Sequence, residues 1–294
     1  QASGASTNCC VGKKMTEPRE LHLHPHIGRA TKVHNIWQVD AKERLQLQDG
    51  SYACYLTITD EHTGSWLCAI AFPYSYISQV PLIQVQTALI KVFARWGKAG
   101  AFRVDNGAPF GNPKMSSTPP IALWLIAHDV DMIWNKPRSP QCNAKVERMQ
   151  ATSSRWVNVS DCPTLEELQK RLDQEAIIQR EKYPVKRLQN KTRLQVFPEL
   201  ETSRRPYQST GFDPTRVYEF LAKKTYVRTT DKTGRLMIYN VPYNLSAANR
   251  KKVVNIKLLT SSLHWQFYID GQIVGSQKAE NLSPDRILNL TVCQ

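Results

Sequence analysis

The chain has 294 residues, 41% hydrophobic and 22% charged, with 39 Lys and Arg against 25 Asp and Glu and a formal net charge of +14. That is enough apolar sequence for one large domain and a small one, and no run approaches the roughly 18–20 apolar residues of a membrane helix. The positive excess is spread along the chain, 17 basic against 11 acidic residues in 1–160 and 22 against 14 in 161–294, which suits a folded protein with a polyanionic partner, most simply nucleic acid.

Residues 1–30 lack periodicity and read as an arm or linker. Cys9, Cys10, His22, His24 and His26 lie in it, but adjacent cysteines chelate one ion poorly and no C-x-x-C or H-x₃-H spacing occurs, so an extended arm is expected rather than a zinc site. The chain opens on Gln1 with small, polar residues; it is expected to be a piece of a longer protein, without a secretory signal. Seven irregularly spaced cysteines (9, 10, 54, 68, 142, 162, 293) suggest reduced thiols and a cytoplasmic, nucleoid-associated setting.

From residue 35 the pattern sharpens. Ile36–Val39 and Tyr52–Thr59 read as strands joined through Asp49-Gly50, and His62-Thr63-Gly64 turns into a third, Trp66–Phe72. A helix runs from Val80-Pro81 to about Trp96, with Leu82, Val85, Leu89, Val92 and Phe93 as its apolar face and Gly97 and Gly100 after it. Phe102–Val104 is a fourth strand, Thr118-Pro119-Pro120 starts a helix through about His128, Met132–Trp134 is a fifth strand, and a third helix starts near Asn143. This βββαβαβα order, over residues 31–160, is that of a ribonuclease H-like α/β core: a mixed five-stranded sheet flanked by helices. Residues 161–205 read as a helical basic linker, starting at the capping box Thr164–Glu167 and carrying eight basic and three acidic residues between Arg180 and Arg205. Residues 206–294 read as a small all-β barrel of SH3-like type, with Arg250-Lys251-Lys252 as its most basic segment.

Three carboxylates stand where structural acids would be odd. Asp40 interrupts an apolar strand, Asp105 ends another before an Asn-Gly turn, and Glu147 opens a basic helix. Buried carboxylates repel one another and lose hydration, so they persist mainly where a cation neutralises them, and oxygen-only ligands select hard ions such as Mg²⁺ or Mn²⁺. The expectation is a two-metal phosphodiester site. Asp60 reads as a turn-closing acid, His128 and Asp129 as structural, and Trp265 as a core residue.

Trp37-Gln38-Val39-Asp40, Asp105-Asn106-Gly107 and Asn143-Ala144-Lys145-Val146-Glu147-Arg148 resemble the motifs of retroviral-integrase-like DDE transposases of the bacterial insertion-sequence type. The resemblance covers about residues 31–205 well and the barrel loosely. It implies Mg²⁺-dependent 3′-end cleavage and strand transfer of mobile-element DNA, with Asp40, Asp105 and Glu147 as catalytic metal ligands for two ions. It further implies DNA contacts from Asn143, Lys145, Arg148, Lys186, Arg187, Lys191, Arg193, Arg250, Lys251 and Lys252. A homo-multimer on paired double-stranded DNA ends, with linker and barrel reaching across to the partner's DNA, and an ATPase target selector as a partner also follow from it. Ala144 departs from the family's usual Gly, and no helix-turn-helix or zinc module precedes the core. The alternatives are a purely hydrolytic ribonuclease H-like nuclease and a domesticated, inactive DNA-binding protein.

Overall fold

The computed structural model describes residues 28–74, 80–111, 117–135, 144–202 and 204–293. The expected arm up to residue 27, with its Cys and His residues, and Asn143 lie outside the described residues.

The core sheet is built from β1 (Ile36–Gln46), β2 (Tyr52–Asp60), β3 (Trp66–Pro73), β4 (Ala101–Val104) and β5 (Asp131–Trp134), in the order β3-β2-β1-β4-β5. The first three strands pair antiparallel through short turns, whereas β4 and β5 pair parallel, because a helical crossover precedes each. This is the sheet that the element order predicts. β1 runs seven residues further than its apolar stretch; its pairing with β2 shifts between Lys42 and Leu45, where Arg44 adopts φ 58°.

α1 (Leu82–Trp96) buries Val85, Leu89, Val92, Phe93 and Trp96 on the sheet. It stops at Gly97, whose φ is +72° and whose N–H bonds the Phe93 carbonyl. A side chain there would meet the Arg205 carbonyl at 2.7 Å, so glycine is required both by backbone conformation and by space.

α2 (Pro120–Ala127) is buried at every position from Ile121 to Ala127. A helix apolar all round needs cover on both sides. One side faces the sheet helices, with Trp124 stacked on Phe93 at 6.2 Å. The other packs against α7 (Pro214–Ala222) and α8 (Pro284–Leu288) of the C-terminal region. His128, closing α2, is 1% exposed and wedged among Trp124, Tyr207 and Phe212 at 4.8, 5.2 and 5.6 Å. Neither ring nitrogen has a hydrogen-bond partner among the described residues, and burial, with Lys98 nearby, lowers its pKa to about 4. The imidazole is therefore neutral when folded and protonates near 6.5 when unfolded, so its contribution to stability is intact above pH 6.5 and lost as pH falls towards 4. We expect the urea midpoint to fall between pH 7.5 and 4.5 by the equivalent of about 1–3 kcal/mol more in the wild type than in His128→Phe; an equal fall in both would show that the ring does not report on folding.

α3 (Ala144–Trp156) and α4 (Leu165–Ile177) cover the opposite face. Thr164 caps α4 by accepting the Glu167 N–H. Leu168, Leu172 and Ala176 are buried with Tyr55, Trp66 and Ala69, so α4 belongs to the core rather than to a solvated tether. It also closes the sheet edge. The Gln169 amide accepts the Ala71 N–H and donates to the Ala69 carbonyl, both at 2.8 Å. Gln179, in a wide helical turn after α4, repeats the pairing with Trp66 and Gly64 at 3.0 Å, and Arg180 donates to the Trp66 carbonyl at 2.8 Å. Two amide side chains thus occupy hydrogen-bonding positions that a sixth strand would otherwise take.

Short helices α5 (Arg193–Val196) and α6 (Glu199–Thr202) lead to the C-terminal module. Its strands are β6 (Tyr226–Thr229), β7 (Arg235–Ile238), β8 (Val241–Asn244), β9 (Val253–Leu259), β10 (His264–Ile269) and β11 (Gln272–Lys278). They form a four-stranded sheet, β11-β10-β9-β6, and a separate β7-β8 ribbon, and the module also contains α7 and α8. The all-β expectation is corrected on this point. Trp265 is fully buried beside Tyr226 and Tyr239. The module's core is continuous with that of the large sheet.

Candidate active site

Gln38 of β1 lies opposite Arg103 of β4 in parallel register. Two residues further along each chain come Asp40 and Asp105. Since strand side chains repeat with period two, Asp40 shares a face with Gln38. Asp105 follows the last residue of β4, exposed in a turn where Gly107 N–H donates to its Oδ1 at 2.9 Å. A side chain at residue 107 would meet both Asp105 carboxylate oxygens at 3.2 Å, which accounts for the glycine. Asn106 ties this turn to β5 by donating to the Asn135 carbonyl at 2.9 Å.

Glu147 sits in the first turn of α3. Gln38 sets that turn: its Oε1 accepts the Val146 N–H at 2.9 Å, satisfying one of the helix's N-terminal donors. Its Nε2 donates to Glu61 Oε2 at 3.1 Å, and Arg103 Nε donates to the same carboxylate oxygen at 2.7 Å. Lys145 reaches back from α3 to the carbonyls of Glu61 and His62. One buried network therefore joins β1, β4 and α3 immediately behind the three acids.

The acids feel one another. Burial first, then the charge of Asp105, and to a lesser degree that of Glu147, push the Asp40 carboxyl up to about 6, against the Ala41 N–H that pulls it down. All three potential donors are carboxylates, the chemistry that Mg²⁺ or Mn²⁺ requires, and the repulsion recorded at Asp40 is what a cation would remove. Among the described residues no His, Cys, Asp or Glu group of three is drawn together closely enough to form a ligating cluster. Asp60 lies apart from this charge cluster. It is fully buried and accepts from His34 N–H and from Thr63 N–H and Oγ1, all at 2.8 Å, closing the β2–β3 turn.

No protein-family model matches the chain. Among solved structures, the HTLV-2 integrase catalytic core domain in complex with magnesium is similar at 16% identity over 57% of this chain and 99% of that one, with a TM-score of 0.42. The catalytic core domain of BIV integrase gives 16%, 58% and 97% with a TM-score of 0.37. The simian T-cell lymphotropic virus intasome, in complex with PP2A regulatory subunit B56 gamma, gives 15% identity over 86% of this chain and 81% of that one, with a TM-score of 0.45.

The expected DNA-contact residues fall into three places. Lys145, Arg148, Arg187 and Arg193 line one cavity beside the acids. Lys186 and Lys191 are exposed outside its lining. Arg250, Lys251 and Lys252 are exposed on the turn entering β9. Arg193 is partly buried; it donates to the Gln179 carbonyl at 3.1 Å and burial lowers its pKa to about 10, so a solvated cation at that position is not what the fold provides. Gln38, Glu61 and Arg103 escape a motif search because polar residues inside strands carry no family wording. The available signal was their position: Gln38 and Arg103 each precede an acid by two residues.

Proposed function

We propose that the chain is a DNA strand-transferase of the integrase and transposase kind, cutting 3′ ends of mobile-element DNA and joining them to a target through Asp40, Asp105 and Glu147. The observation that supports this most is the register of β1 and β4 together with the Gln38–Val146 bond, which directs three carboxylates from distant sequence to one sheet end. Asp40, Asp105 and Glu147 would hold Mg²⁺ or Mn²⁺, two ions in the full site, which when bound supply activation of the attacking oxygen and stabilisation of the leaving 3′ oxygen. The chain's own residues do the positioning. The Gln38–Glu61–Arg103 network keeps the acids in place while Arg148, Lys186, Arg187 and Lys191, with Arg250, Lys251 and Lys252 on the module, hold DNA phosphates. The attacker is water in end cleavage and a terminal 3′-hydroxyl in joining; both are displacements at phosphorus, so one site serves both. Concerted joining of two ends calls for at least two copies on DNA, which itself supplies assembly energy.

The test is incubation with Mg²⁺, a labelled duplex with recessed 3′ ends and a plasmid target. Joined products are expected. Hydrolysis without joining would make the chain a simple nuclease, and DNA binding without any product would make it an inactive DNA-binding protein.

A further inference from the structure

Between α3 and the segment following α4 lies a cavity of about 690 Å³, within the range of roughly 300–1,000 Å³ typical of sites that enclose small ligands. Arg148, Thr152, Arg155 and Trp156 line it from one helical stripe, while Gln179, Tyr183, Arg187 and Arg193 form the facing wall. Its floor is Gln38, Glu61 and Arg103. Glu61 is the single carboxylate among the described residues of this lining, and Arg103 already engages it at 2.7 Å. The cations Arg29, Lys145, Arg148, Arg155, Arg187 and Arg193 thus converge without a matching number of carboxylates among the described residues. No ion pair joins Arg148 or Arg155 to a carboxylate among the described residues. Burial, and then the charge of Arg187, lower the pKa of Arg193.

Charge alone would suit any polyanion. Two further features narrow the ligand. Trp156 and Tyr183 meet at 5.2 Å with their rings tilted by 56°, and Tyr183 keeps 48% of its surface exposed, leaving aromatic surface beside the arginines. The cavity also adjoins the acids: Gln38 and Arg103 precede Asp40 and Asp105 by two residues, about 7 Å along a strand, and Lys145 and Arg148 flank Glu147. A cavity of this volume has room for about one nucleotide, with phosphate-binding cations and aromatic surface on its two walls.

We propose that this cavity receives an unpaired nucleotide of the DNA strand being processed, its phosphates on Arg148, Arg155 and Arg187 and its base against Trp156 and Tyr183. The inference rests on DNA being the substrate. It assigns these cations to an extruded or single-stranded nucleotide rather than to the outside of a duplex. Stacking on an aromatic side chain tolerates any base, so the site selects strandedness and not sequence.

The experiment is equilibrium binding by fluorescence anisotropy, with the full chain in EDTA so that no reaction occurs. Three DNAs are compared: a blunt duplex, the same duplex with a two-nucleotide unpaired extension, and that extension made abasic. The extension is expected to tighten binding about 5- to 100-fold, and the abasic form to lose most of that gain. Trp156→Ala and Tyr183→Ala should each erase the gain while leaving blunt-duplex affinity within about two-fold, and Trp156→Phe should restore it. Equal affinity for all three DNAs, or an equal loss on blunt and extended DNA in both alanine variants, would overturn the nucleotide site while leaving the strand-transferase reading intact. Thymidine monophosphate binding as tightly as the extended duplex would reassign the cavity to a free nucleotide. Failure to bind any of the DNAs would defeat the substrate assignment itself.

Discussion

Asp40→Asn, Asp105→Asn and Glu147→Gln are each expected to reduce end cleavage and joining by about 10³-fold or more, because each withdraws one charged metal ligand from a step in which the ions supply several kcal/mol. The fold should survive. For Asp40→Asn stability should rise, and the sign can be worked out. The Asp40 carboxyl has a folded pKa of about 6 against an ordinary value of 3.8, so its charged form is disfavoured by folding. The cost is complete above pH 6 and fades as pH falls from 6 towards 3.8. Removing the charge should therefore raise the unfolding free energy at pH 7.5 by up to about 3 kcal/mol and leave it nearly unchanged at pH 4. Joining activity retained by any one variant would take that residue out of the site. A stability gain that persists at pH 4 would trace to something other than carboxylate repulsion.

Arg103→Met should be the most destabilising single change near the site. The Arg103 and Glu61 side chains keep only 11% and 4% of their surface exposed, 2.7 Å apart. Removing one partner of a buried pair leaves the other charge uncompensated, at a cost of about 3–5 kcal/mol. Pairing it with Glu61→Gln should recover most of that loss, since a neutral amide can still accept from Gln38. The two variants separate stability from positioning. If the network serves only the fold, the double variant should regain activity along with its unfolding midpoint. If it places α3, activity should remain depressed at restored stability, with the loss in kcat rather than in KM. Chemical unfolding and steady-state joining assays on the same preparations decide this. An Arg103→Met variant as stable as wild type would mean the pair is solvated and the network unimportant.

Much of the sheet could be read in advance, and the three proposed acids stand out in the sequence because each leaves a local mark. Asp40 breaks an apolar run, Asp105 precedes Asn-Gly, and Glu147 follows a Pro-rich loop. Elements made by tertiary contact were harder. α4 looks like linker because charged residues dominate it, although Leu168, Leu172 and Ala176 carry a helical stripe that packs on the sheet. α7 was overlooked within a strand-rich stretch even though Asp213 accepts the Thr215 N–H and Pro214 starts the helix. β8 contains Pro242, which removes one ladder donor, and it survives in a two-stranded ribbon where that loss matters little. The cavity could not be anticipated at all. Its lining runs from Gly28 to Arg193 and exists only once α3 and the chain after α4 face each other across the sheet.

The docking of α7 and α8 onto α2 joins the five-stranded sheet and the C-terminal module through one hydrophobic seam. In the proposed function, a phosphate held by Arg250, Lys251 or Lys252 would stand at an offset from Asp40 decided by that seam rather than by the length of a tether. Cutting position along the DNA would then be a property of shape. Lengthening the connection through residues 204–213 would leave that offset unchanged as long as the seam holds, whereas loosening the seam would blur where the strand is cut without touching any group that takes part in the chemistry.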